Sequence, residues 1–154
     1  MKIGFDIDGV LADINITALR MIDFMPKKHR KEVEFWYYAE VKPQLNPELF
    51  VGENDEYIVI TGRDEDKKEV TERWVKKFCP RYKKLYMTNA KVQELANAVG
   101  EEVVQWSINQ GNKKAEIINK EKLDIFFDDN EDCVNRLREL CPNTKIIKYG
   151  GRLQ

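Results

Sequence analysis

The chain contains a single histidine, His29, inside the run Lys27-Lys28-His29-Arg30-Lys31. Ser/His/Asp chemistry therefore has little to work with, and the run reads as a solvated charged turn. The three cysteines, Cys79, Cys133 and Cys141, are far apart, form no CxxC pair and have no histidine near them. That spacing suggests neither a zinc site nor a disulfide framework, and buried thiols in a reducing compartment are expected instead. No apolar run approaches the ~20 residues of a membrane span, and the first residues read as a strand and not as the apolar segment of a signal peptide. A cytoplasmic protein with no membrane partner is the expectation. Excess charge is also lacking: Lys plus Arg, 26, nearly balances Asp plus Glu, 27, for a formal net charge of -1. There is thus no general pull toward nucleic acid or an anionic surface. Internal repeats and low-complexity segments are absent. The composition, 42% hydrophobic and 34% charged over 154 residues, suits one soluble domain, residues 1–154, with a sizeable core.

Within that domain the stretch Gly4-Phe5-Asp6-Ile7-Asp8-Gly9 stands out, because a short apolar run delivers two carboxylates, one residue apart, onto a glycine turn. In an unbroken strand Asp6 and Asp8 would share a face, and Gly9 argues that the strand stops there. A strand ending at that point lifts both acids to its C-terminal rim, where an open α/β sheet binds its ligands. Carboxylates this close repel each other and cost desolvation, so a buried pair wants a cation or a shared proton. Mg²⁺ fits, as a hard ion that takes one or two carboxylates with waters and phosphate oxygens.

Leu11, Ile14, Ala18, Met21, Ile22 and Met25 recur at helical spacing, with Pro26 as the stop. Four consecutive aromatics, Phe35, Trp36, Tyr37 and Tyr38, then lead into a segment with Pro43 and Pro47 that reads as an inserted cap, roughly residues 14–55. Tyr57 to Ile60 is a buried-strand pattern broken by Thr61-Gly62-Arg63. A helix from Asp66 to Phe78 carries Lys76 and Lys77 in its last turn, where they complement the helix dipole. Leu85 to Met87 reads as a strand, and Thr88 or Asn89 as the cap of a helix on Val92, Leu95, Ala96 and Val99 that ends at Gly100. Residues 101–112 fit a strand or a buried helix turn equally. A short helix follows Lys113 and Lys114, then a strand from Leu123 to Phe127 that ends in Asp128-Asp129-Asn130. A final helix through Val134, Leu137 and Cys141 and a strand from Lys145 to Lys148 complete the pattern.

Strands alternating with helices imply a mainly parallel sheet, because each right-handed crossover returns the chain in the same direction. Such a sheet brings Asp6 and Asp8, Thr61 and Arg63, and Asp128 and Asp129 to one rim. These groups suit phosphoryl transfer to an aspartate and then to water. Asp6 would be the nucleophile, and Asp8 would protonate the leaving oxygen and later deprotonate water. Mg²⁺ would be held by Asp6, the Asp8 main-chain carbonyl and Asp128. Thr61 would bond a phosphoryl oxygen, and Lys114 would offset the charge gathered around Asp6.

Asp6-Ile7-Asp8-Gly9-Val10, Ile60-Thr61-Gly62-Arg63, Lys114 and Asp128-Asp129-Asn130 resemble, in order, the four motifs of the haloacid dehalogenase superfamily of phosphatases. The resemblance covers most of the chain except the insert. It implies a Rossmann-like three-layer α/β sandwich with strand order 5-4-1-2-3, and a cap between the first two strands that selects the leaving group. Lys113 competes for the third role, but Lys114-Ala115-Glu116-Ile117 is similar to the start of the family's lysine-bearing helix. Asp128 and Asp129 share the metal contacts of the fourth motif, with Asp128 the first choice for the direct one. The second acid at Asp8 favours phosphatase over dehalogenase. The layout further resembles the 5'(3')-deoxyribonucleotidases and the phosphatase domain of polynucleotide kinases. A nucleoside monophosphate or similar small ester is thus the expected substrate, with Gly62 and Arg63 beside the phosphate and Phe35, Trp36, Tyr37 and Tyr38 either stacking on a base or packing the insert. A polynucleotide 3'-end is the alternative substrate, and a non-catalytic phosphate-binding protein on the same fold is the alternative class.

Overall fold

Five short apolar runs become strands: β1 (Lys2–Phe5), β2 (Glu56–Thr61), β3 (Leu85–Met87), β4 (Ile125–Asp128) and β5 (Lys145–Lys148). All pair in parallel, in the order β3-β2-β1-β4-β5, which is the expected 5-4-1-2-3 read from the other edge. The computed structural model describes residues 1–91 and 98–150, apart from the side chains of residues 16 and 20. Among them the helices are α1 (Ile16–Asp23), α2 (Lys27–Glu40), α3 (Lys68–Phe78), α4 (Glu101–Glu121) and α5 (Glu131–Leu140). The expected helix on Val92, Leu95 and Ala96 lies outside the described residues.

Strand alternation sorts the core into two layers. On one face Ile3 and Phe5 of β1 and Tyr57 and Val59 of β2 pack with Trp74 and Val75 of α3. On the other, Ile58 and Ile60 of β2 and Phe126 of β4 pack with Ala115 and Ile118 of α4 and Val134 and Leu137 of α5. Gly4 lies on that second face because a Cβ there would come 2.6 Å from Leu123 Cδ1 and 2.7 Å from Phe126 Cδ2. The result is a sheet flanked by helices, an α/β Rossmann-like fold. Cys79, Cys133 and Cys141 are free thiols buried in these layers.

Three expected elements differ from the structure. Leu11 and Ile14 do not belong to the first helix, which starts at Ile16 after Asn15 accepts a bond from the Ala18 amide at 3.2 Å. Leu11 is fully buried in the turn after β1, so its spacing reflects the core and not a helix face. The run from Lys27 to Lys31 is no turn: Pro26 stands at the N-cap, and the basic residues form the opening of α2. Proline ends one helix and suits the start of the next, because its fixed φ and missing N–H cost nothing there. Residues 101–112 and the expected short helix after Lys113 are one continuous helix, α4. Its buried face runs through Ser107, Gln110, Gly111, Lys114, Ala115, Ile118 and Glu121, a helical spacing carried mostly by small and polar residues.

Candidate active site

β1 stops at Phe5, sooner than Gly9 suggested, so Asp6 and Asp8 are placed by a loop and not by strand alternation. The Asp6 amide still donates to the Phe127 carbonyl at 3.0 Å, which keeps Asp6 beside the end of β4. Beyond it the Ile7 carbonyl accepts from the amides of Val10 and Ala12 at 3.2 and 2.8 Å, and fully buried Ile7, Val10 and Leu11 anchor the turn. Gly9 sits at φ 87°, and a Cβ there would lie 2.0 Å from Asp129 Oδ2. A glycine is therefore what lets Asp129 close onto the loop.

Asp6, Asp128 and Asp129 each offer a carboxylate oxygen, all within 4.8 Å of one another. Lys114 reaches this group from the buried face of α4, with Nζ 2.6 Å from Asp128 Oδ2 and 3.3 Å from Asp6 Oδ2. Lys113 instead donates to the carbonyls of Thr88 and Asn89 at 3.3 and 3.1 Å. Asp6 Oδ1 accepts from the Ile7 amide at 2.8 Å, and Asp128 Oδ1 from the Asn130 amide at 3.0 Å. Three carboxyl groups thus face one ammonium. Burial lifts the Asp6 carboxyl well above the usual range; Lys114 opposes that, while Asp128, Asp129 and Asp8 reinforce it. Asp129 is pushed up to about 7, by burial first and then by the charge of Asp128. Burial works against the charge on Lys114, but Asp128 and Asp6 overcome it and hold the amine well above its ordinary value. Hard oxygen donors converging in this way fit a divalent cation of the Mg²⁺ type.

Thr61 ends β2 fully buried, and its Oγ1 accepts from the Arg63 amide at 3.2 Å, so its own proton can be donated elsewhere. The Gly62 carbonyl accepts from the Ala90 amide at 2.9 Å. Arg63 turns inward: it is 1% exposed, and its Nη2 donates to Asp8 Oδ1 at 2.7 Å. Nε lies 3.2 and 3.1 Å from the two Asp8 oxygens, and Nη1 donates to Thr71 Oγ1 at 3.1 Å. Tyr38 of α2 covers the guanidinium, with its ring centroid 4.4 Å from Cζ. Thr71 went unnoticed in the sequence; its only signal is its place on the buried face of α3, between Val70 and Trp74.

The four aromatics of α2 therefore have different surroundings. Tyr38 is buried on Arg63. The Tyr37 hydroxyl accepts from the Asn15 amide at 2.7 Å, tying α2 to the cap of α1. Phe35 meets Trp36 edge to face, and Trp36, 57% exposed, lines a hollow of about 130 Å³ with Ala39, Glu40, Arg73, Trp74 and Lys77. None of those lining residues belongs to the acidic cluster. In the basic stretch from Lys76 to Lys84, Lys84 pairs with Glu121 at 2.9 Å and Arg81 with Glu48 at 3.2 Å. No helix of the described residues is long and apolar enough to cross a membrane.

No protein-family model and no curated protein matches the chain. Among solved structures, a chain of the Pnkp1/Rnl/Hen1 RNA repair complex aligns with 98% of this chain at 18% identity and a TM-score of 0.50. A second Pnkp1/Rnl/Hen1 complex gives 98% coverage, 16% identity and a TM-score of 0.49. The chain spans less than half the length of these neighbours, 43% and 47%. At such identities the likeness is one of fold.

Proposed function

We propose that the chain is a divalent-metal-dependent phosphomonoesterase that works through an aspartyl-phosphate on Asp6. The observation that carries this reading is the convergence of Asp6, Asp128 and Asp129 on one point with Lys114 between Asp6 and Asp128. Asp6, Asp128, Asp129 and the Asp8 main-chain carbonyl would hold Mg²⁺. Bound there, the cation supplies the positive charge that keeps Asp6 ionised and screens it from an incoming phosphate.

The steps belong to the residues themselves. The Asp6 carboxylate forms a bond to phosphorus as the bond from phosphorus to the leaving oxygen breaks. Asp8 gives its proton to that oxygen, yielding a neutral alcohol and an Asp8 carboxylate. The short contact from Arg63 falls on Asp8 Oδ1, so Oδ2 is the oxygen with room for the proton. In the second half, Asp8 Oδ2 takes a proton from water as the water oxygen bonds to phosphorus. The bond to Asp6 breaks, and phosphate leaves with Asp6 restored as a carboxylate. The Thr61 hydroxyl donates to a phosphoryl oxygen, and Lys114 balances the charge of Asp6 and Asp128 throughout.

A nucleoside monophosphate is the favoured substrate, on the resemblance to the deoxyribonucleotidases. The fold shared with a chain of an RNA repair complex is the reason to set a 3'-phosphorylated polynucleotide beside it. Phosphate release is measured from 5'- and 3'-mononucleotides, sugar phosphates and a 3'-phosphorylated oligonucleotide, with Mg²⁺ and with chelator. Mg²⁺-dependent release from mononucleotides is expected. Preference for the oligonucleotide, with binding that weakens steeply in added salt, would move the assignment to the polynucleotide end. Silence across the panel from folded protein that binds Mg²⁺ would overturn the enzyme reading.

A further inference from the structure

Arg63 has the wrong surroundings for a residue that meets substrate. Its guanidinium is almost wholly buried and is held on three sides by three different elements. The loop after β1 takes its Nε–Nη2 edge through Asp8, α3 takes Nη1 through Thr71, and α2 covers one face with Tyr38. A phosphate could reach Arg63 only by displacing one of these partners. A buried guanidinium under an aromatic ring is held strongly, since little water competes for it. Its planar fork also fixes orientation as well as distance, which an ammonium cannot do.

We propose that Arg63 and Tyr38 are positioning residues for Asp8: Arg63 aims the carboxyl, and Tyr38 holds Arg63 flat against it. Helix α2 then acts on the chemistry through this stack, in addition to any contact with the leaving group. The role in catalysis rests on the phosphomonoesterase reading, because it needs Asp8 to be the acid that protonates the leaving oxygen. The orientation of Arg63 by Tyr38 does not rest on it.

The test uses an aryl and an alkyl phosphate ester. An aryl ester with an acidic phenol leaves without a proton, whereas an alkyl ester needs one as its bond to phosphorus breaks. The ratio kcat/KM reports on that step for both. Tyr38→Leu and Arg63→Lys are expected to lower kcat/KM for the alkyl ester on the order of 100-fold, the scale of a positioned general acid, with a far smaller loss for the aryl ester. Tyr38→Phe, which keeps the ring, is expected to retain the wild-type ratio. Equal losses for both esters through KM would mean that the two side chains contact the phosphate common to both, and would overturn the proposal. A second readout needs no turnover: the Arg63 guanidinium N–H signals in a nuclear magnetic resonance spectrum, assigned by their disappearance in Arg63→Lys. Restricted rotation is expected in the wild type and in Tyr38→Phe, and free rotation in Tyr38→Leu. Unchanged signals in Tyr38→Leu would overturn the role of Tyr38. Wild-type protein that hydrolyses neither ester but shows the restricted Arg63 signals would remove the enzyme reading and leave the stack standing.

Discussion

Lys114 Nζ lies 2.6 Å from Asp128 Oδ2, and both side chains are buried. Deleting one partner of such a pair leaves the other charge buried and uncompensated, at a cost of about 3–5 kcal/mol. Here the loss also exposes Asp6 and Asp129 to each other and to Asp128, since Lys114 is the ammonium that opposes their repulsion. Lys114→Met is expected to lower stability by about that amount in chelator, read from urea denaturation. Mg²⁺ is expected to recover part of the loss, because it supplies positive charge at the same place. Wild-type stability in chelator would show that the cluster does not depend on Lys114.

Asp6→Asn separates chemistry from folding. The asparagine oxygen can still accept from the Ile7 amide, as Asp6 Oδ1 does at 2.8 Å. It cannot serve as an anionic nucleophile, and it removes one of three mutually repelling carboxyls. Turnover is expected to vanish while the thermal midpoint in chelator stays level or rises. Residual turnover at the wild-type rate would remove Asp6 as the nucleophile.

Gly9→Ala tests the packing of the loop against Asp129. The backbone at φ 87° strains any L side chain, by about 1–3 kcal/mol, and the new Cβ would fall 2.0 Å from Asp129 Oδ2. The two penalties are separable. In an Asp129→Ala background the carboxyl contacts are gone and, beside backbone strain, only a 3.0 Å approach to the Cβ at position 129 remains, so Gly9→Ala is expected to destabilise less there than in the wild type. Equal costs in both backgrounds would show that Asp129 does not press on the loop.

The rim was legible because its strands are short apolar runs that end abruptly in polar residues. Phe5 gives way to Asp6, Ile60 to Thr61 and Phe127 to Asp128, and a parallel sheet must bring such ends together. The buried face of α4 was not legible ahead of Ala115 and Ile118, because Ser107, Gln110, Gly111 and Lys114 make that part of the helical stripe without large apolar residues. Gly111 is small there because Arg136 Cβ would sit 2.9 Å from a Cβ, a relation between two helices that no local pattern carries. Arg63 follows Thr61 closely, but its partner Asp8 stands 55 positions away, a pairing that no local pattern carries. Helix α2 was hidden by its opening charges, which read as a turn when their neighbours in space are unknown.

Glu121 gives a pH signature away from the rim. At the end of α4 it accepts from the Tyr86 hydroxyl and from Lys84 at 2.9 Å, with Lys2 at 3.6 Å. The Tyr86 bond first, then Lys84, holds its carboxyl down from 4.5 to about 2. A carboxyl with a depressed folded value stabilises the fold above its unfolded pKa, and that contribution is lost as pH falls through the folded value. The wild type is therefore expected to lose stability as pH drops from 4.5 toward 2. Glu121→Gln is expected to start lower at neutral pH and to show a flatter profile across that window. Parallel profiles for the two proteins would show that Glu121 does not carry this part of the acid response.

Mg²⁺ should register in the fold even without substrate. Asp6, Asp128 and Asp129 repel one another most in the folded state, where burial and mutual charge raise the carboxyls of Asp6 and Asp129. The unfolded chain separates them, so a cation that joins all three binds the folded form selectively. Such a ligand at about 100 times its Kd stabilises the fold by about 2.7 kcal/mol. The thermal midpoint of the wild type is expected to rise with Mg²⁺ and to fall back with chelator. Asp128→Asn and Asp6→Asn each remove a buried oxygen ligand and are expected to abolish most of the rise, whereas Asp129→Asn, at the less buried corner, is expected to reduce it. The same rise in all four proteins would place the cation elsewhere. It would also leave the repulsion among these carboxyls to be offset by Lys114 alone, which is the arrangement that the Lys114→Met measurement in chelator isolates.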